Sequence, residues 1–468
     1  MFERPDMKFA GFEEASIPVW IAPAAAIKAA LAGEVAAHVF PMEALALAKA
    51  SGFEPRAQKH LCFLQECGAP GVLFCMDGDA GADPFQFGAL AGLPEGVYRL
   101  VETPENAGLA ALGFLLGAYR FTRYKKAATL GPRLVAPHGI DRDEVEAIAA
   151  AVALARDLVN TPANDLGPDD LEFFARDVAE NFGADITVVS GETLEREFPL
   201  IHAVGKGSSR APRLVELRWK PERAKKLALV GKGVCFDSGG LDIKPESAMG
   251  LMKKDMGGAA AALAAGAMIM AANLDLSLRL LLPIVENSVS GEAFRPGDVY
   301  RSRKGLTVEI GNTDAEGRLI LADALALADE EKPDLLVDFA TLTGAARVAL
   351  GPDLPPFYTE DDGLAEAIAR CGLACNDPVW RLPLWKAYEP KLDSKLADLN
   401  NAPAGGMAGS IMAALFLKRF VSPGTAWAHF DIYAWTPTAR PGRPEGGEAQ
   451  AARLIYQLAR EKYGVAKI

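Results

Sequence analysis

The chain has 468 residues, half of them hydrophobic (50%) and about a quarter charged (24%), enough to bury large cores and to divide into two or more domains. A formal net charge of −12 speaks against a general nucleic-acid role, since the basic cluster Arg120, Arg123, Lys125 and Lys126 is small and suits a helix-end face. No uninterrupted apolar run of about 18 residues suits a membrane span, and the N-terminus lacks the basic region and apolar core of a secretory leader. Cys62, Cys67, Cys75, Cys235, Cys371 and Cys375 have no disulfide-framework spacing, so free thiols and a cytoplasmic location are expected.

Residues 1–138 mix strand-like runs such as 71–75 with helical runs at 41–51 and 106–119, which reads as a small N-terminal α/β domain. The alanine-rich stretch 141–160 carries acidic residues early and ends at Thr161-Pro-Ala-Asn, so 139–160 is expected to be a linker helix. From 161 onward strand signals at 186–190, 213–219, 226–230, 278–285 and 335–339 alternate with helical signals at 257–273 and 320–331. That alternation predicts an α/β fold: a larger C-terminal domain, 161–468, with a mixed sheet flanked by helices.

The strand at 226–230 runs into Gly231-Lys-Gly-Val-Cys-Phe-Asp-Ser-Gly-Gly240, read as a glycine-dense loop at its C-terminal end, where ligands sit in open α/β sheets. Lys244 follows, and Asp255 falls at or just before a helix N-terminus, where a capping role competes with a ligand role. In Asn312-Thr-Asp-Ala-Glu-Gly-Arg-Leu319 an extended backbone would turn Asp314, Glu316 and Arg318 to one side, a metal site beside an anion clamp. A solvated charged loop is the competing reading. HExxH, GxSxG, P-loop and GxGxxG patterns are missing, and His38, His60, His138, His202 and His429 are scattered without metal-ligand spacing.

Taken together, these segments resemble the leucyl aminopeptidase family, the di-metal cytosolic (M17-type) aminopeptidases. The resemblance rests on 230–240 (GKG…FDSGG), 243–256 (IKP…MKKDM), 295–298 (RPGD), 312–319 (NTDAEGRL) and 340–345, with weaker agreement at 156–164 and 427–432. It implies two divalent ions, Zn or Mn with Mg or Co possible, held by Lys232, Asp237, Asp255, Asp314 and Glu316. Asp255 would serve one ion, and carboxylates such as Asp237 and Glu316 would be shared. An amine coordinates only when neutral, which costs about 5 kcal/mol at pH 7, so Lys232 is a ligand only beside a metal.

The implied reaction is removal of the N-terminal residue, leucine or another apolar one, from peptides with a free N-terminus by a metal-activated water. By resemblance Lys244 stabilises the oxyanion. Arg318 holds a bicarbonate general base, for which a planar cationic fork is suited, and a structural ion pair is its alternative role. Met252, Thr341, Gly344 and Met407 are candidates for the substrate pocket, and a homohexamer built as a dimer of trimers is expected. Tyr433 and Trp435 depart from the family pattern, placing aromatics where small residues are usual. A di-metal phosphoesterase or a silent homologue is the rival. The first would want more histidine or basic residues, and the second would have lost one of the seven site residues.

Overall fold

In the N-terminal region, strands β1 (Ile17–Pro23), β2 (His60–Leu64), β3 (Pro70–Met76), β4 (Gly96–Leu100) and β5 (Pro132–Leu134) form a sheet in the order β2-β3-β1-β4-β5. All its pairings are parallel except β2 with β3. Ala22, Ile27, Ala44, Phe63 and Leu73 share one core there, joining β1 to β3 with the helices Ala24–Leu31 and Met42–Ser51. The computed structural model describes residues 7–34, 40–78, 82–125, 131–403 and 405–466, so His38 and Lys126 lie outside the described residues.

The chain divides into two units, 1–153 with 438–445 and 154–437 with 446–468. The division falls inside the helix Arg142–Asn160, whose Asp143 and Glu144 sit in the first turn where the helix dipole favours acids. The sequence reading had placed it at that helix's ends.

The second unit continues with β6 (Asp185–Ser190), β7 (Arg213–Trp219), β8 (Lys226–Gly231), β9 (Gly233–Asp237), β10 (Ser277–Asn287), β11 (Val299–Arg301), β12 (Thr307–Glu309), β13 (Leu335–Ala340), β14 (Pro356–Tyr358), β15 (Trp380–Arg381), β16 (Leu399–Asn400) and β17 (Trp427–Asp431). Its main sheet runs β15-β14-β17-β13-β8-β10-β7-β6, with β9 paired to β10. The central strands β17, β13, β8 and β10 are mutually parallel, whereas β7, β6 and β14 join antiparallel, giving the expected mixed sheet. Every residue of β13 and β17 is buried, as both faces of a parallel sheet require.

The helix Gly257–Ala271 has no polar face, and its small residues let the backbone rest on the sheet. A Cβ on Gly258 would stand 2.2 Å from the Phe339 carbonyl oxygen, so only glycine permits that approach. Helix Gly317–Asp329 contributes Leu319, Ile320, Leu321 and Leu325 to a core shared with Leu336, Leu415 and Phe416. The segment read as a loop after β8 is mostly strand. Because β10 is longer than β8, its far end pairs with β9, and Lys232 alone interrupts the run, donating its N–H to Phe339 instead. Among the described residues no helix is long and apolar enough to cross a membrane.

Candidate metal centre

Three chain segments converge where β8, β9 and β13 end. Asp237 closes β9, Asp255 lies in the 3-10 turn Met252–Met256, and Glu316 immediately precedes the helix Gly317–Asp329. One oxygen from each lies within 4.8 Å of the others, and all three residues are buried. Lys232 Nζ is 2.9 Å from Asp255 Oδ2, 2.8 Å from Glu316 Oε1 and donates to the Thr341 carbonyl at 2.9 Å. Lys244 Nζ is 3.0 Å from Asp237 Oδ2 and pairs also with Asp314. Asn287 donates to Asp237 Oδ1 at 2.8 Å and to the Thr313 carbonyl at 3.1 Å, fixing the β9 carboxylate against the 312–316 segment.

That segment is not extended, contrary to the sequence expectation. It is a turn that becomes a helix, held by Asn312 Oδ1 accepting the Asp314 N–H at 2.7 Å and by Asn401, which accepts from Gly311 at 2.7 Å and donates to Asn312 and Ala315 carbonyls at 2.9 and 3.2 Å. Asp314 and Glu316 still face the cluster, but they do so through turn geometry. Arg318 is one step into the helix and 8% exposed, with Nη1 donating to the Asn401 carbonyl at 2.7 Å. Among the described residues it forms no ion pair, its Nε has no hydrogen-bond partner, and it does not line the cleft over the cluster. Between them, Gly317 makes room for Lys232, because a Cβ there would lie 2.6 Å from Lys232 Cε.

Burial raises Glu316 to about 8 and Asp314 to about 6, with Asp237 adding repulsion in both cases, and it raises Asp255 as well. Burial opposes the charge on Lys232 and Lys244, yet the surrounding carboxylates outweigh it and hold both ammoniums above their ordinary value. Asp255 Oδ2, Asp314 Oδ1 and Glu316 Oε1 are buried without a hydrogen bond of acceptable geometry, although lysine nitrogens lie at ion-pair distance. Four carboxylates therefore face two lysines in a largely buried site, so the acids outnumber the cations beside them. An oxygen-rich, anion-heavy set of this kind fits hard or borderline divalent cations. Arg318, pushed down to about 10 by burial, remains cationic at neutral pH, and its unpartnered Nε fits a small anion.

A cleft of about 310 Å³ opens over the cluster. Met252, Thr341 and Gly344 line it, whereas Met407 is 81% exposed and lies outside it. Its glycine-rich neighbourhood turns it outward, with Gly405, Gly406 and Ala408 all at positive φ.

Sequence reasoning did not single out Asn287, Lys254, Arg347 or Asp431. Asp431 accepts from the Leu342 and Thr343 N–H groups at 3.1 and 3.0 Å and from the Thr343 and Ser410 hydroxyls at 2.6 and 2.7 Å, shaping the cleft floor. Its signal was its place at the end of a parallel strand, in the weakly matching 427–432 motif. Lys254 also lines the cleft, with burial lowering it to about 8. His429 is fully buried on β17, held by Asp338 at 2.6 Å, and takes no part in the cleft.

Known proteins share this arrangement over nearly the whole chain. Residues 153–456 match the model of the cytosol aminopeptidase family, catalytic domain, and residues 35–137 match that of the M17 aminopeptidase, N-terminal domain. A "Probable cytosol aminopeptidase" of Desulfovibrio desulfuricans is 42% identical over 466 residues, covering 94% of this chain and 91% of its own. The crystal structure of a cytosol aminopeptidase from Coxiella burnetii superposes with a TM-score of 0.91 at 43% identity, covering 98% of this chain and 100% of its own. The bottromycin maturation enzyme BotP in complex with Mn superposes at 0.86 with 34% identity, covering 96% and 100%.

Proposed function

This chain belongs to the cytosol aminopeptidase family, metal-dependent exopeptidases that hydrolyse peptides, and from that premise we propose that it releases the N-terminal residue of peptides at two divalent ions in the cleft. The observation that carries this reading is the convergence of Asp237, Asp255 and Glu316 oxygens within 4.8 Å from three separate segments. Asp255 would serve one ion, Asp237 and Glu316 would be shared, and Asp314 and the neutral amine of Lys232 would complete the set. The solved relative bound to Mn makes manganese a first choice beside zinc. Bound ions would lower the pKa of water and polarise the scissile carbonyl.

The remaining roles fall to the chain's own groups. Lys244 stays protonated between Asp237 and Asp314, so it is placed to donate to the oxyanion that develops as the carbonyl is attacked. Arg318, whose Nε has no hydrogen-bond partner and which forms no ion pair among the described residues, would hold bicarbonate as the proton acceptor, a planar anion matched to a planar cation. Substrate enters as a peptide with a free amine, its first side chain against Met252, Thr341 and Gly344, where the resemblance implies leucine or another apolar residue. A cytoplasmic homohexamer, a dimer of trimers, belongs to the same proposal, and light scattering at assay concentration tests it.

The decisive experiment compares a leucyl peptide with its N-acetylated twin, using chelator-stripped protein to which Mn²⁺ or Zn²⁺ is returned. Cleavage is expected only with metal and only for the free amine. Equal cleavage of the acetylated peptide would remove the exopeptidase assignment. Bicarbonate should raise the rate of the native protein and not that of Arg318→Ala, and a bicarbonate-independent native rate would remove that role.

A further inference from the structure

One cation in the cleft wall, Lys254, forms no ion pair among the described residues. Lys254 is 5% exposed and lies in the 3-10 turn immediately before Asp255, yet among the described residues its ammonium forms no ion pair and donates no hydrogen bond. Its Nζ sits 4.9 Å from the centroid of the Tyr433 ring. The Arg347 guanidinium carbon lies 4.9 Å from the same centroid, and Arg347 likewise has no ion pair among the described residues. All three side chains line the cleft together with Met252, Thr341 and Gly344.

This arrangement is unfavourable for stability alone. Burying an ammonium costs more than an aromatic face returns. A second cation on the same ring adds repulsion. Two other buried cations of this unit have carboxylates at hand, Arg156 with Glu448 at 2.8 Å and Arg279 with Glu216 at 2.7 Å, whereas Arg318, like Lys254, forms no ion pair among the described residues. A methionine in place of Lys254 would fill the space without the charge. The cleft thus has two walls of opposite sign, the carboxylate cluster and the Lys254–Arg347–Tyr433 face.

We propose that Lys254, seated on Tyr433, binds the side-chain carboxylate of an N-terminal glutamate or aspartate, so that peptides beginning with an acidic residue are substrates of this site. The inference rests on the aminopeptidase reading and extends it to a substrate class beyond the apolar residues. Asp255 and Lys254 are consecutive, with Cα atoms about 3.8 Å apart. Both line the cleft, so an α-amine on the Asp255 side and a side-chain carboxylate on the Lys254 side can belong to one bound acidic residue. Arg347, exposed at the rim, adds attraction on entry.

The test measures kcat/KM of the Mn-loaded full chain for three peptides that differ only in the first residue: glutamate, its neutral isostere glutamine, and leucine. The glutamyl peptide should exceed the glutaminyl peptide by about 10-fold or more. In Lys254→Met the ratio of the two should fall to about one, in Lys254→Arg it should be largely kept, and in Tyr433→Leu it should fall part of the way. Taking the ratio within each variant cancels any change in metal loading or folded fraction. Equal cleavage of the glutamyl and glutaminyl peptides by the native protein would overturn the inference even if no variant folded, and so would a ratio that survives in Lys254→Met. Cleavage of the leucyl peptide alone leaves the aminopeptidase reading standing while removing this one. Failure on all three would remove both.

Discussion

Two buried polar clusters, one within the main sheet and one beyond its strand ends, differ in how their carboxylates are paired. Within the sheet, Asp338 on β13 accepts from the Trp427 indole at 2.8 Å and faces His429 Nδ1 at 2.6 Å, and His429 stacks between Tyr358 and Trp427. Both carboxylate oxygens are used there. At the strand ends, one buried oxygen each of Asp255, Asp314 and Glu316 has only a lysine ammonium at ion-pair distance among the described residues, and four carboxylates share two lysines. The first cluster has the marks of a structural pair, whose partners come from its own sheet. The second has more acid than the chain itself neutralises, which is the condition for recruiting a cation from outside. His429 Nε2 is also buried without a hydrogen-bond partner among the described residues, so neither burial nor a single orphan atom distinguishes the two clusters; the excess of carboxylates over lysines does.

The sharpest way to break the contrast is to remove one member of each. Glu316→Gln should lower kcat/KM for a leucyl peptide by about 10³-fold or more, close to 4 kcal/mol. It should also reduce bound metal while leaving the thermal midpoint of the metal-free protein unchanged or higher, because a crowded buried charge is gone. A mutant that keeps both its metal and its rate would dissolve the distinction. Asp338→Ala should do the reverse, costing about 3 kcal/mol in urea unfolding, at the low end for a broken buried pair because His429 can become neutral. The folded fraction should keep its metal.

Smaller effects refine the comparison. Lys244→Met should reduce kcat by about 10²-fold or more, in the range of one lost oxyanion donor, with KM nearly constant. A change confined to KM would make Lys244 a binding group only. The smallest effect is in pH. Burial works against the charge on His429, but Asp338 outweighs it and raises the folded value. Its stabilising contribution is therefore complete below the unfolded value near 6.5 and is lost as pH rises through the higher folded one. Unfolding stability in urea taken from pH 5.5 to 9 should fall through this group, and Asp338→Asn should flatten that part of the curve.

Much of this was legible along the chain. The strand signals at 213–219 and 335–339 became β7 and β13 almost without change: β13 is fully buried and nearly continuous in apolar residues, and β7 sets Leu214, Val215, Leu217 and Trp219 among Arg213, Glu216 and Arg218. The helix Gly257–Ala271 was legible too, since its glycines and alanines leave close packing against a sheet as the stable solution. The 312–319 octapeptide was expected to be extended and is a turn that leads into a helix. Its alternation suggested a strand, but Asn401, distant in sequence, supplies hydrogen bonds that bend it into a turn. Met407 misled for a related reason: a glycine-rich segment says that the chain turns and leaves open which way its one large side chain points.

The sequence by itself determined the kinds of chemistry available, four acids, two lysines and an arginine in motifs of a recognisable family, and the strands and helices that carry them. Local patterns suffice for that, because each motif and each element is a matter of near neighbours. Tertiary structure decided which groups share a volume and which are left without partners. Lys254 and Tyr433 are far apart in the chain and meet because the Met252–Met256 turn and the end of β17 are brought to one cleft wall. Whether a buried charge is answered depends on every segment packed around it, and only the folded chain fixes that surrounding.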